Sequence, residues 1–167
     1  MFQKLLKPIK KKPMIKADVL VTYKTWKKYI SKPNIHLKNK LKKVEKKINI
    51  FKKNKFNFTL LLSGNSEVKK LNKKFRKKNR TTDVLSFPCH EKKILHKLLK
   101  KKHSIYLGDI IINLNKIIKE SRKQDFLIVF DKIWIHGLSH LLGYRHKSNK
   151  DFSIMNKLES KIFKSIQ

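Results

Sequence analysis

Residues 125–142 constrain the fold most, because they are apolar around nearly the whole circumference of a helix. A helix on a protein surface has one apolar stripe, whereas a helix that is apolar on all sides lies inside its domain. We therefore predict a central buried helix. Its longest uncharged part, residues 133–144, is shorter than the ~18 residues that a membrane-spanning helix needs. The apolar residues are Phe126, Leu127, Ile128, Val129, Phe130, Ile133, Trp134, Ile135, Leu138, Leu141 and Leu142.

Four short runs rich in β-branched, aromatic or leucine residues predict strands elsewhere in the chain. Strands and helices do not alternate strictly, so we predict an α+β fold with a roughly four-stranded mixed sheet covered by helices. Residues 17–167 form the single predicted domain, and residues 1–16 form a basic N-terminal tail. The predicted strands are residues 18–23, 58–62, 83–87 and 106–112.

Apolar residues three or four positions apart predict amphipathic helices around this sheet. Asn65 is predicted to cap the helix that follows the second strand, with Val68, Leu71 and Phe75 on its buried side. Residues 89–104 fit either a helix or a mobile loop, and the pattern does not decide between them.

The chain is strongly basic, with 44 Lys and Arg residues against 11 Asp and Glu residues and a formal net charge of +33. Such a chain attracts polyanions, because each neutralised phosphate releases condensed counterions. RNA is the favoured partner, and an anionic membrane surface is the weaker alternative. Codon drift in an A+T-rich genome explains much of the lysine excess equally well. Few aromatic residues interleave with the lysine runs, so base stacking is not evident from the sequence.

Cys89 is the only cysteine, which excludes an intrachain disulfide and a secreted disulfide scaffold. We predict that it packs as a small apolar side chain rather than acting as a reactive thiol. The first residues are basic but lack the apolar segment of a secretory signal, so we expect a cytoplasmic location and no membrane partner.

Three histidines at the end of the central helix form the pattern His-x3-His-x2-Gly-x2-His. His136 and His140 are about one turn apart, so both imidazoles project from one face and can share an ion. Gly143 suits a left-handed turn, after which His146 can reach the same point. Three imidazoles in apolar surroundings are costly without a shared partner, so the pattern predicts a metal site. Three protein ligands leave one position open, as in catalytic zinc sites.

The same histidine spacing occurs in the zinc-binding helix and turn of the metzincin peptidases. Those peptidases have a Glu general base directly after the first histidine. Here Gly137 occupies that position, so peptide hydrolysis through that Glu is unavailable.

Residues 136–146, HGLSHLLGYRH, resemble the HG-x-LHL-x-GYDH signature of the YbeY family of rRNA maturation factors and single-strand-specific endoribonucleases. Three further segments agree in order and spacing, and the resemblance covers roughly residues 17–166. They are LNKKFR at 71–76, TDVLSFP at 82–88 and LGDIIIN at 107–113.

The resemblance implies that His136, His140 and His146 bind one zinc or related divalent ion. It implies that Arg76 contributes to RNase activity, since an arginine can clamp a phosphate or stabilise the charge of a pentavalent transition state. An ordinary basic surface residue is the alternative for Arg76. The implied substrate is the 3′ end of the small-subunit rRNA, with the ribosomal small subunit as partner and a role in ribosome quality control.

Asp83, Ser86 and Asp109 lie in segments shared with the family. Asp109 could hold a ligand histidine by its second nitrogen, but a structural role is favoured for all three. Arg145 stands where the family has Asp, and Ser139 is a smaller departure. Arg145 disfavours metal binding unless it points outward to solvent or RNA.

The sequence therefore predicts a metal-dependent endoribonuclease, with either water or the 2′-OH of the RNA as nucleophile. The rival prediction is a non-catalytic rRNA-binding assembly factor with a structural metal, which Gly137 and Arg145 favour. In both cases the lysine-rich faces and residues 89–104 would hold the RNA backbone. The sequence does not indicate the general base, the cellular metal or the oligomeric state.

Overall fold

A four-stranded mixed sheet forms the centre of the computed structural model, which describes residues 14–101 and 103–167. The strands are β1 (Ile15–Val21), β2 (Lys55–Ser63), β3 (Val84–Pro88) and β4 (Ser104–Asn113). Their order is β1-β2-β4-β3, with β3 an antiparallel edge strand and the other pairings parallel. The predicted α+β class is confirmed. Most of the predicted basic tail lies outside the described residues, and β1 begins within its last two positions.

Seven α-helices and a short 3-10 helix, Lys24–Lys28, surround this sheet within the described ranges. Residues 89–104 contain a helix with a buried Leu95, so the helical alternative for this segment is correct. None of the described helices is long and apolar enough to cross a membrane. The helices are α1 (Pro33–Lys47), α2 (Asn49–Lys53), α3 (Asn65–Arg76), α4 (Lys92–Leu99), α5 (Leu114–Glu120), α6 (Phe126–Leu141) and α7 (Asn149–Ile166).

Helix α6 is the predicted central helix, and it packs against β3, β4, α5 and α7. Asp125 caps it, because its carboxylate accepts hydrogen bonds from two backbone N–H groups of the first turn. Gly137 lies where α6 crosses β4, and a Cβ there would come within 2.7 Å of the Ile110 side chain. The position that carries the metzincin general base therefore faces the sheet and has no room for a glutamate.

Asp131 ties α6 to α1 in the interior, although it is a charged residue with only 2% of its surface exposed. Its Oδ1 accepts hydrogen bonds from Trp134 Nε1 at 2.8 Å and His36 Nε2 at 3.2 Å. Lys40 Nζ lies 2.9 Å from its Oδ2. Burial alone raises the pKa of Asp131, but these hydrogen bonds outweigh it and leave the pKa below its usual value. Asp131 is therefore ionised at neutral pH and fully paired.

The opposite face of the sheet has a smaller core, formed by Val68 of α3, Leu85 and Ile111. Helix α3 ends at Arg76, as predicted, but its N-cap is Gly64 rather than Asn65. The prediction that Phe75 is buried is wrong, since it is 57% exposed. Phe75 lies on the last turn of α3 and contacts the ring of Phe87 instead of entering the core.

Cys89 is exposed, so the prediction that it packs as a small apolar side chain is wrong. It directly follows β3, and its backbone N–H donates to the carbonyl of Leu107 at the edge of the sheet. Cys89 lies beyond the last residue of β3, so its side chain is not part of either packed face of the sheet.

Candidate metal centre

His136 and His140 project together from the last two turns of α6 and are both partly buried. Their Nε2 atoms are 3.2 Å apart, and their ring centroids are 4.6 Å apart. The helix repeat accounts for this proximity, because side chains four residues apart lie one above the other on one face. Both imidazoles therefore project from one face of α6 and lie close enough to share one ion, as the spacing predicts.

The turn after α6 brings His146 to the same place. Gly143 has φ of +85°, and its N–H donates to the carbonyl of His140 at 2.9 Å. The N–H of Tyr144 donates to the carbonyl of Ser139 at 3.1 Å. Together these bonds form a Schellman C-cap, which requires the left-handed conformation that glycine adopts without strain. The ring of His146 then lies 5.1 Å from that of His140, and the three potential ligand atoms all lie within 4.8 Å of one another.

Hydrogen bonds to the Nδ1 atoms define which nitrogens are free to bind a metal. The Nδ1 of His136 lies 2.9 Å from Oε1 of Glu159, and that of His140 lies 3.0 Å from the carbonyl oxygen of Tyr144. Both partners are acceptors, so each Nδ1 carries the proton and donates it. In the neutral rings each Nε2 then has a bare lone pair, and two lone pairs face each other. A cation between the rings removes this repulsion, so the three histidines could hold a metal ion.

The pKa of His140 is lowered to about 4, mainly by burial; the hydrogen bond to the Tyr144 carbonyl opposes this shift, and the neighbouring His136, His146 and Arg145 add to it. His140 is therefore neutral at pH 7, which is the state that coordinates a metal. Arg145 is exposed and adds its positive charge at the rim of this cluster. This position satisfies the condition under which Arg145 remains compatible with a metal.

Arg76 is not brought into hydrogen-bond contact with the described histidines. Its Nη2 donates to the backbone carbonyl of Ser86 at 3.0 Å, and its guanidinium carbon lies 5.9 Å from the centre of the Phe87 ring. The hydrogen bond ties the end of α3 to β3. Arg76 is nevertheless exposed, so its remaining N–H groups are available to an anion.

The carboxylates of the shared segments have local partners. Asp83 accepts a hydrogen bond from the N–H of Val84 at the start of β3, and Asp109 accepts one from the hydroxyl of Tyr106. The Ser86 hydroxyl is buried without a hydrogen-bond partner among the described residues. The structural role favoured for Asp83 and Asp109 agrees with these contacts, and Asp109 does not hold a ligand histidine.

Glu159 of α7 plays the role that was considered for Asp109, and the sequence prediction missed it. Its carboxylate holds His136 by Nδ1 and is about three-quarters buried, with 25% of its side chain exposed. A signal was present, because Met155, Glu159, Ile162 and Ile166 follow one another at the three- and four-residue spacing of one helix face. A carboxylate on an otherwise buried face needs a partner.

A cavity of about 400 Å³ opens beside His136, between α6, α7 and the start of β3. This volume lies in the range of small-molecule sites, which is about 300–1,000 Å³. Apolar side chains and several hydrogen-bonding groups share its wall, and one cation, Lys132, is among them. The lining residues are Asp83, Lys132, Ile133, Ile135, His136, Asn156, Glu159, Ser160 and Phe163.

Glu159→Ala should weaken binding of a divalent metal by about 10- to 100-fold, because His136 would lose the acceptor that orients its ring and raises its basicity. Glu159→Gln keeps an acceptor for the Nδ1 proton and should recover part of the loss. Competition titration against a chromophoric chelator measures both affinities. Asp18→Ala removes an exposed carboxylate from β1 and serves as the control. Equal affinities for Glu159→Ala and the control would contradict this role.

Comparison with known proteins gives one consistent family. A family model described as Endoribonuclease YbeY matches residues 20–167. Endoribonuclease YbeY of Pelagibacter ubique is 42% identical over 156 residues, which are 92% of this chain and 97% of that protein. Endoribonuclease YbeY of Buchnera aphidicola is 40% identical over 142 residues, covering 83% and 87% respectively.

The fold comparison agrees with the sequence comparison. The solution structure of TM1509 from Thermotoga maritima matches this chain with a TM-score of 0.53 and 26% sequence identity, over 90% of each chain. The family model covers β2, β3 and β4, the three-histidine cluster and α7 with Glu159. This chain therefore belongs to the YbeY endoribonuclease family.

Proposed function

We propose that this protein is a metal-dependent endoribonuclease that matures ribosomal RNA at the 3′ end of the small subunit, acts in ribosome quality control and works in the cytoplasm. One observation supports this most strongly. Three imidazoles converge at one place, one of them lines a cavity, and two of them present bare Nε2 atoms, in a chain of an endoribonuclease family.

We propose zinc as the metal, with His136, His140 and His146 as its ligands. Imidazole nitrogen is a preferred zinc ligand, and three protein ligands fit a catalytic site rather than a closed structural one. When bound, such an ion supplies Lewis acidity to a phosphoryl group and to a water molecule. Glu159 and the Tyr144 carbonyl hold two of the rings, so that the ligand nitrogens do not have to reorganise on binding.

The cavity beside His136 is the proposed place for the nucleotide at the scissile bond. Lys132 lines this cavity together with His136, and Arg145 adds positive charge near His140. We propose that Arg76 contributes to RNase activity as a phosphate contact that positions the RNA, because one of its N–H groups is held by Ser86 and the others are free to bind the RNA. The lysine-rich faces and α4 hold the rest of the backbone without reading its sequence.

Cleavage of a labelled RNA with an unprocessed small-subunit 3′ end tests this proposal. The protein should cut it, excess chelator should stop cleavage, and restored zinc should recover it. The product ends identify the nucleophile. Attack by the 2′-OH leaves a 2′,3′-cyclic phosphate, whereas hydrolysis by water leaves a 5′- or a 3′-phosphate end.

Two results would contradict the proposed nuclease activity. Cleavage that persists in chelator would come from a contaminating nuclease. Unchanged RNA binding in chelator, with no cleavage under any metal condition, would indicate the non-catalytic assembly factor with a structural metal. A metal held by four protein ligands would favour the assembly factor, because structural sites are closed. Among the described residues, the cluster offers three histidines, which leave one position open.

A further inference from the structure

Phe75 is an exposed aromatic residue on the side of the sheet away from α6. It lies at the end of α3, and its ring packs edge-to-face on the ring of Phe87, with 5.3 Å between centroids and an interplanar angle of 63°. More than half of its surface remains accessible. An exposed phenylalanine held in place by a second ring offers an apolar face to a ligand at little entropic cost, because its rotamer is already restricted.

Cations flank both rings. Lys74 Nζ lies 5.2 Å from the centroid of Phe75, and the guanidinium carbon of Arg76 lies 5.9 Å from that of Phe87. Arg76 is itself held by the Ser86 carbonyl. We call Phe75, Phe87, Lys74 and Arg76 the aromatic platform. It joins π-faces to fixed positive charge, which is the combination that binds single-stranded nucleic acids.

A cleft of about 290 Å³ adjoins this platform and shares Arg76 with it. Three of its lining residues are cations, two are threonines, and none is an acid. This composition complements a phosphodiester and provides no carboxylate to repel it. The lining residues are Asn72, Arg76, Lys78, Arg80, Thr81, Thr82 and Leu85.

We propose that the aromatic platform and this cleft bind one nucleotide of single-stranded RNA, with the base stacked on Phe75 and the phosphate in the cleft. RNA as the ligand rests on the proposed function, whereas the binding mode rests on the rings, the cations and the cleft. Double-stranded RNA does not fit, because its bases are already stacked and their faces are covered. The platform therefore selects unpaired RNA.

This subsite is separate from the metal centre. Leu85 and Phe87 of β3 face α3, whereas Val84 packs in the core on the side of α6. The platform and the histidines thus lie on opposite faces of β3. Because β3 is the edge strand of the sheet, an extended RNA can pass around it from one face to the other. The platform would hold a nucleotide several positions from the scissile bond.

Fluorescence anisotropy with a short labelled oligouridylate, in chelator so that no cleavage occurs, tests the subsite directly. Phe75→Ala should weaken binding roughly tenfold, in line with the loss of one base–aromatic stack. Phe75→Leu should lose a similar amount although it keeps apolar bulk, and Phe75→Trp should retain the affinity of the unmodified protein. The matched control is Leu20→Ala, an equally exposed apolar residue on β1 at the opposite edge, which should not change binding.

Two further measurements distinguish base stacking on Phe75 from electrostatic binding of the phosphates. Phe75→Ala should leave the salt dependence of binding unchanged. Arg80→Gln should make the slope of the logarithm of the association constant against the logarithm of the salt concentration shallower by about 0.7. An abasic oligomer of the same length should bind the unmodified protein and Phe75→Ala equally. The proposal is overturned if Phe75→Ala binds oligouridylate as tightly as the unmodified protein, or loses affinity for the abasic oligomer to the same extent. Either outcome leaves the nuclease proposal intact, whereas absence of any RNA binding by the unmodified protein contradicts both.

Discussion

His140→Ala should abolish metal binding at the three-histidine cluster and reduce RNA cleavage on the order of 10³-fold. His140 is partly buried and lies between the other two histidines in the chain. Its removal leaves two imidazoles, of which His146 is exposed and free to turn away. A catalytic metal contributes several kcal/mol to the transition state, and each 1.36 kcal/mol corresponds to a tenfold change in rate.

The control for this variant is His96→Ala, which removes an exposed histidine of α4 outside the cluster. Metal content by elemental analysis should be close to one per chain for the control and near zero for His140→Ala. Circular dichroism should show both variants folded, because His140→Ala removes the ring's hydrogen bond to the Tyr144 carbonyl but keeps the two backbone hydrogen bonds of the Schellman turn and the α6 core. Undiminished cleavage by a folded, metal-free His140→Ala would show that the nuclease reaction does not use this site.

The metal cluster could be predicted from the sequence because its geometry is local. The helix repeat sets the spacing of His136 and His140, and the turn at Gly143 depends only on hydrogen bonds within residues 139–144. The buried α6 and the four strands were predictable for a related reason, since apolar periodicity reports which faces are covered.

Contacts between residues far apart in the sequence could not be predicted from local spacing. Glu159 reaches His136 across 23 positions of sequence, and only the packing of α7 on α6 brings them together. Phe75 follows the apolar stripe of α3, but the core under that helix is small and does not extend to the last turn. The apolar stripe of α3 predicted that Phe75 is buried, but the core between α3 and the sheet is too small to cover it. The aromatic platform could not be predicted from the sequence, because its central residue Phe75 was expected to be buried.

Asp131 is a third long-range contact, since its partners His36 and Lys40 come from α1. Asp131→Ala should lower the free energy of unfolding by about 3–5 kcal/mol, the usual cost of removing one partner from a buried ion pair. The substitution leaves the Lys40 ammonium and the Trp134 N–H without their acceptor and opens a gap between α1 and α6. Urea unfolding in chelator, where metal binding does not contribute to stability, measures the change.

Asp18→Ala provides the matched control, because it removes an exposed carboxylate whose ion pair with Lys16 should contribute less than about 1 kcal/mol. The pH dependence of the free energy of unfolding tests the role of the Asp131 charge independently. The folded-state pKa of Asp131 is lowered, so its contribution is fully present above the unfolded-state value of about 3.9 and is lost as pH falls through the folded-state pKa. The difference between the unmodified protein and Asp131→Ala should therefore narrow at acid pH. A difference that stays constant down to the acid transition would mean that packing of the side chain, rather than its charge, joins α1 to α6.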